Sequence, residues 1–245
     1  MMPELLKNKI EPRIEVLNAV DGPVKVYLYG VIRKKTWWDD GDDDFISADR
    51  VQKLLNDLDG KDLVIHMNSN GGDVFESITI SNLIRDYEGN VDLFIDGMAA
   101  SGASIVATAA DKVIMYTNSQ QMIHKAWTFA SGNANDLRKV SDDLDKIDTS
   151  VKASYEKRFV GEKDELEALI KNETYLTAEE CLAFGLCDEI VDLEDEEEEM
   201  PKDNIKENLF NKYKGNIQNK TPKKKVTNEG NNENDDNSLF KNFRR

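Results

Sequence analysis

Apolar and polar positions follow two rhythms along this chain. The run VKVYLYGVI at 24–32 is β-branched and apolar, which predicts a buried strand. SADRVQKLLNDL at 47–58 predicts a helix capped by Ser47, with Val51, Leu54, Leu55 and Leu58 on one face. DLVIHMN at 62–68 predicts a second strand. Gly71 and Gly72 follow, then a helix from Asp73 carrying Val74, Ile78, Leu83, Ile84 and Tyr87. VDLFIDG at 91–97 predicts a third strand and AASGASIVATAA at 99–110 a helix of small residues. KVIMYT at 112–117 predicts a fourth strand, and QQMIHKAW a short one ending near His124. Over 133–159, Leu137, Val140, Leu144, Ile147, Val151, Tyr155 and Phe159 recur at spacings of three and four. That is the apolar stripe of a helix of about seven turns. It packs either on its own sheet or against a neighbouring subunit, and periodicity favours neither. TAEECLAFGL at 177–186 predicts a helix with Thr177 as N-cap, Glu180 closing a capping box and Gly185 as C-cap. CDEIVD predicts a last short strand. Strands alternating with helices predict an α/β layer fold with a largely parallel sheet.

Composition divides the chain into three parts: an N-terminal segment (1–23), a body (24–192) and a tail (193–245). The chain has 245 residues and 48 acidic against 32 basic side chains, a net charge of −16. Such a balance argues against a phosphate backbone as partner. The tail opens on the acidic run LEDEEEEM and continues rich in Asn and Lys, with 12 acids and 11 bases. Its few apolar residues cannot offset the entropy of ordering, which predicts disorder over most of it. A short amphipathic helix over 204–213, or an anchoring segment that orders on a partner, is the sharper reading. No apolar run approaches the roughly 20 residues of a membrane-spanning helix. The first residues carry no signal-peptide core. A cytoplasmic setting is expected. Cys181 and Cys187 are too few for a disulfide framework and lack the neighbours of a zinc site, so both read as buried thiols. The acidic loop WWDDGDDDF at 37–45 lacks the fixtures of a calcium loop. No metal or cofactor is expected.

Two glycine-containing junctions hold the candidate chemistry. Asn68-Ser69-Asn70-Gly71-Gly72-Asp73 ends a strand and opens a helix, presenting backbone N–H groups. It lacks the nucleotide-binding glycine patterns, and a plain tight turn explains it equally well. Gly97-Met98-Ala99-Ala100-Ser101-Gly102-Ala103-Ser104 sets Ser101 where a strand gives way to a helix among residues of minimal size. A serine nucleophile needs such reach, with the next N–H aimed at the developing oxyanion. Close helix packing would also explain the small residues. Ser104, one turn on, is the rival hydroxyl. A serine needs a base, and the chain has two histidines. His66 lies inside a strand and reads as structural. His124 stands at a strand end before a loop, where a ring can reach out of the sheet.

The ordered set Asn-Ser-x-Gly-Gly-Asp, Gly-Met-Ala-Ala-Ser-Gly-Ala, Met-Ile-His and Tyr-Leu-Thr-Ala-Glu-Glu-x-x-x-x-Gly-Leu-x-Asp resembles the Clp protease proteolytic subunit family over 24–192. The likeness is closer to its phage branch, the ClpP-like head maturation (prohead) proteases. NANDLRKVSDDLDKIDTSVKASY, Asn70 in place of the usual Pro, and Lys125-Ala126 after His124 all fit that branch. The resemblance implies a ClpP/crotonase-like layered fold with a long handle helix. It implies Ser101 as nucleophile, His124 as general base, and Gly72 and Gly102 as oxyanion-hole donors. It also implies a homo-oligomer, a heptameric ring or double ring. The family's third triad member is an Asp shortly before Tyr-Leu-Thr-Ala. Here Lys171 stands near that place, and Glu173 is the nearest carboxylate and first choice to orient His124. Asn172 and Asp148 are alternatives.

These readings lead to a serine endopeptidase that cleaves capsid or scaffold proteins during phage head maturation, in the host cytoplasm. One alternative is a Clp-type subunit serving a separate ATP-driven unfoldase, since the chain itself has no ATP motif. The other is a weakly active or inactive scaffold or adaptor in capsid assembly. A crotonase-type acyl-CoA enzyme has no need of the Ser101–His124 pair. Neither nucleic acid nor membrane is an expected partner.

Overall fold

A computed structural model describes residues 10–17, 22–37, 39 and 45–191. The tail, with the helix expected at 204–213, and most of the acidic loop lie outside the described residues. Eight strands form one sheet, whose main path runs β1 (Arg13–Leu17), β2 (Val24–Ile32), β3 (Leu63–Gly72), β4 (Val91–Ala100), β5 (Lys112–Tyr116) and β8 (Glu189–Val191). All neighbours on this path are parallel except β1 against β2. Parallel strands need crossovers. Helices α1 (Ala48–Leu58), α2 (Val74–Arg85) and α3 (Gly102–Ala107) supply them. Val26, Leu28, Ile65, Met67, Leu93 and Ile95 alternate onto one face and meet Val51, Leu55, Ile80, Ile84 and Val106 in a common core. The mixed α/β fold with a largely parallel sheet is the one the patterning predicts.

The sheet forks at β4, which positions the site. The first half of β4 pairs with β5, from Asp92 to Ile95. The second half, Met98 to Ala100, pairs with β6 (Gln120–Ile123). β6 in turn pairs antiparallel with β7 (Thr174–Thr177). Ala99 and Ala100, expected in a helix, thus belong to the strand, and α3 holds only six residues, from Gly102. Ala99, Ala100 and Ala103 are fully buried.

Helix α4 (Ala134–Glu156) begins at a capping box of Asn133 and Asp136 and ends three residues before the expected limit. At that end the backbone turns, with both Arg158 and Phe159 donating to the carbonyl of Tyr155. Of its stripe, Val151 and Tyr155 are buried, Val140, Leu144 and Ile147 are half-buried, and Leu137 is 45% exposed. Among the described residues, cover is therefore confined to the C-terminal half of the helix. α5 (Lys163–Lys171) is an amphipathic helix burying Leu166, Leu169 and Ile170, and α6 (Ala178–Ala183) has the expected Thr177–Glu180 capping box. Patterning left β1, α5 and β7 unassigned. All three are short, and β1 and β7 exist through pairing with β2 and β6.

Candidate active site

β4 and β6 end side by side, and each delivers one candidate residue. Ser101 follows the last residue of β4 and caps α3, with φ +55° and ψ −123°. A non-glycine residue at positive φ costs on the order of 1–3 kcal/mol and persists only where its surroundings hold it. Its N–H donates to the carbonyl of Met122 at 2.8 Å, tying the elbow to β6. His124 follows the last residue of β6, and its Nε2 lies 2.7 Å from Ser101 Oγ. The two residues are 23 apart in sequence. The fork of the sheet makes them neighbours.

Burial lowers the pKa of His124 from its ordinary value, against the opposing charges of Glu173 and Asp148. The imidazole is therefore neutral, and able to accept a proton, from below pH 6.5 upward.

The glycine junction lies alongside. Gly71 and Gly72 have φ of +79° and +152°. A Cβ on Gly71 would stand 2.4 Å from the carbonyl of Ala100, and one on Gly72 2.0 Å from the carbonyl of Ile32. The chain passes too close to its neighbours for any side chain. Ser69 holds the turn from beneath. Its hydroxyl donates to the Gly30 carbonyl at 2.6 Å and accepts from the Gly71 N–H at 3.0 Å. Gly102 is the first residue of α3, so its N–H has no acceptor within the helix. A Cβ there would meet Ser77 Oγ at 2.1 Å, so close packing on α2 and helix-end presentation both require glycine.

A cleft of about 710 Å³ opens over Ser101 and His124. It is lined by Gly72, Val74 and Phe75, by Leu144, Ile147 and Val151 of α4, and by Trp127. This is where the half-buried part of the α4 stripe goes: Val140, Leu144 and Ile147 line the cleft.

The remaining expected residues separate clearly. Glu173 is exposed, at φ +50°, in the turn between α5 and β7. The pairing of Ile123 with Thr174 brings that turn beside His124. Among the described residues, no carboxylate forms a hydrogen bond or ion pair with the His124 ring. Asp148 instead holds the backbone that follows it, accepting the Ala126 N–H at 2.8 Å and pairing with Lys125 at 2.8 Å. Asn172 donates to the Ala168 carbonyl. Ser104 is fully buried, so it is not reachable from the cleft. His66 lies on the opposite sheet face, stacked between Tyr27 and Phe94, its Nδ1 2.9 Å from Asp96. Both cysteines are buried and free. No helix among the described residues is long and apolar enough to cross a membrane. Sequence reading missed the bonds made by Ser69, Asp148 and Tyr155. The only signal was a tyrosine on a buried stripe, whose hydroxyl needs a partner.

A layered α/β fold that sets a serine on a strained strand-to-helix elbow against a neutral histidine is the arrangement of a serine-type hydrolase. The Clp protease family model matches residues 42–194. The ATP-dependent Clp protease proteolytic subunit of Bacteroides fragilis is 30% identical over 155 residues, spanning 61% of this chain and 74% of that protein. The chain belongs to the Clp protease family. Membership supports a ClpP-like serine peptidase, and proteins of this family form oligomeric rings.

Proposed function

We propose that the chain is a serine endopeptidase in which Ser101 attacks the scissile carbonyl. His124 takes the serine proton and returns it to the leaving amine, and the N–H groups of Gly72 and Gly102 receive the oxyanion. The observation that carries this reading is the 2.7 Å contact between His124 Nε2 and Ser101 Oγ, both lining the cleft. Glu173 is the residue we assign to orient His124, because strand pairing sets it beside the ring and its charge already acts on the ring. The substrates we assign are capsid or scaffold proteins of a phage head. The support is the phage-like sequence around Asn70, Lys125-Ala126 and α4, together with a tail that a degradative subunit has little use for. The tail would dock the enzyme on the assembling shell.

The test is labelling by a serine-reactive phosphonate with intact-mass readout. Wild type is expected to gain one adduct per chain, and Ser101→Ala and His124→Ala none. Ser101→Ala is also expected to abolish cleavage of co-expressed capsid or scaffold protein, and continued cleavage would refute the assignment. The Bacteroides relative is described as ATP-dependent, which favours a second reading in which a separate unfoldase feeds this subunit. Copurification of a host ATPase, with no processing of capsid protein, would select it. An assembled wild type that takes no label would select the inactive scaffold.

A further inference from the structure

Beneath the elbow lies a pair of buried hydroxyls that the Ser–His chemistry does not use. Ser104, one turn into α3, and Tyr155, in the last turn of α4, are both buried. Their oxygens are 2.8 Å apart. Ser104 Oγ also lies 2.6 Å from the carbonyl oxygen of Ser101 and 3.0 Å from that of Met122.

The protons of this cluster can be assigned. A serine hydroxyl carries one proton, and a carbonyl oxygen can only accept. The Ser104 proton therefore goes to Ser101 or Met122, and the contact with Tyr155 must use the Tyr155 proton. Burial pushes the Tyr155 phenol well above its ordinary value. It stays protonated wherever His124 can serve as a base. The chain runs in one direction, from Tyr155 O–H to Ser104 and from Ser104 O–H to the nearer carbonyl, that of Ser101.

The first of those carbonyls matters most. The C=O of Ser101 and the N–H of Gly102 belong to one planar trans peptide, so they point in opposite directions. The carbonyl also accepts the backbone N–H groups of Ser104 at 3.1 Å and Ile105 at 3.4 Å, and the Ser104 hydroxyl is its shortest contact at 2.6 Å; held down on this side, the peptide aims its N–H up toward the cleft. The other peptide flanking Ser101 is held separately, by its N–H on Met122. We propose that Tyr155 and Ser104 are positioning residues that lock the Ser101–Gly102 peptide so that its N–H faces the oxyanion. The brace also makes α4 a support of the elbow: the helix whose exposed half leaves the body is bonded, through its last turn, to the peptide that carries the oxyanion donor. This inference rests on Ser101 as nucleophile and Gly102 as donor.

The experiment compares phosphonate labelling of the full chain with Tyr155→Phe, Ser104→Ala and the double variant, resolving probe affinity from the maximal labelling rate. Melting temperature and assembled size are measured alongside. Tyr155→Phe keeps the buried ring and removes only the O–H. Its maximal rate is expected to fall about tenfold or more, with probe affinity within about twofold of wild type. Since both residues act through one chain of bonds, the double variant is expected to be no slower than Ser104→Ala alone. Should Tyr155→Phe fail to assemble, Ser104→Ala carries the same expectation. A maximal rate within about twofold of wild type in an assembled variant, whatever its melting temperature, would overturn the brace. So would single effects that multiply in the double variant. A wild type that takes no label at Ser101 removes the nucleophile assignment itself, and the brace falls with it.

Discussion

At the residue scale the site is a set of atoms held by close backbone approach. Ser101 keeps a positive φ because both its peptide groups are bonded, one to Met122 and one to Ser104. His124 sits where burial and two carboxylates act in opposite directions on its proton, burial being the larger effect. The sign follows. A protonated ring cannot accept the Ser101 proton, so labelling should rise with pH through the His124 pKa, at a midpoint below 6.5. Glu173 favours the charged ring, so Glu173→Gln removes a raising influence and should move the midpoint lower still. If Glu173 orients the ring during turnover, the same substitution should reduce the plateau at least about tenfold, as loss of an orienting carboxylate does elsewhere. Labelling rate against pH for the two proteins checks both. A midpoint that moves upward would contradict the electrostatics.

At the scale of elements, the forked sheet and α4 carry the site between them. β4 delivers Ser101, β6 delivers His124, and β7 brings Glu173 to the end of β6. α4 touches this machinery twice, through Tyr155 below the elbow and through Asp148 on the segment after His124. Asp148→Ala leaves the partly buried Ala126 N–H without its acceptor, a loss worth about 1 kcal/mol or more. It also releases Lys125. The expected outcome is a lower melting temperature together with slower phosphonate labelling, because the strand end that aims His124 is no longer pinned. Unchanged labelling with reduced stability would show that Asp148 supports only the fold.

At the scale of the whole molecule, the described residues leave part of α4 uncovered. Leu137 is 45% exposed, and the stripe it begins runs unbroken into the cleft. Proteins of this family form rings, and an apolar stripe that the described residues do not cover is a natural contact between copies. Leu137→Glu is expected to shift native mass spectra toward smaller species while leaving the circular dichroism of the subunit unchanged. Full-sized assemblies in that variant would place the contact elsewhere.

The sequence by itself determined the α/β class and most helix starts, and it singled out Ser101 and His124, which the structure brings into contact. Local physics decides those features. Alternation marks Val26, Leu28, Ile65 and Met67 as a buried strand face, an oxygen side chain caps each helix at Ser47 and Thr177, and small residues flank a reachable serine. Only the tertiary structure decided what the ends of the strands meet. β1 and β7 are defined by the strands they pair with, β2 and β6. Ala99 and Ala100 read as helix formers, yet lie in a strand because they pair with Gln121 and Met122 of β6. Tyr155 looked like one more apolar residue in a stripe, since a hydroxyl's partner has no signature at a distance of 51 residues in sequence. The Ser101–His124 contact itself depends on two strands ending together, and that pairing depends on a sheet that no local pattern specifies.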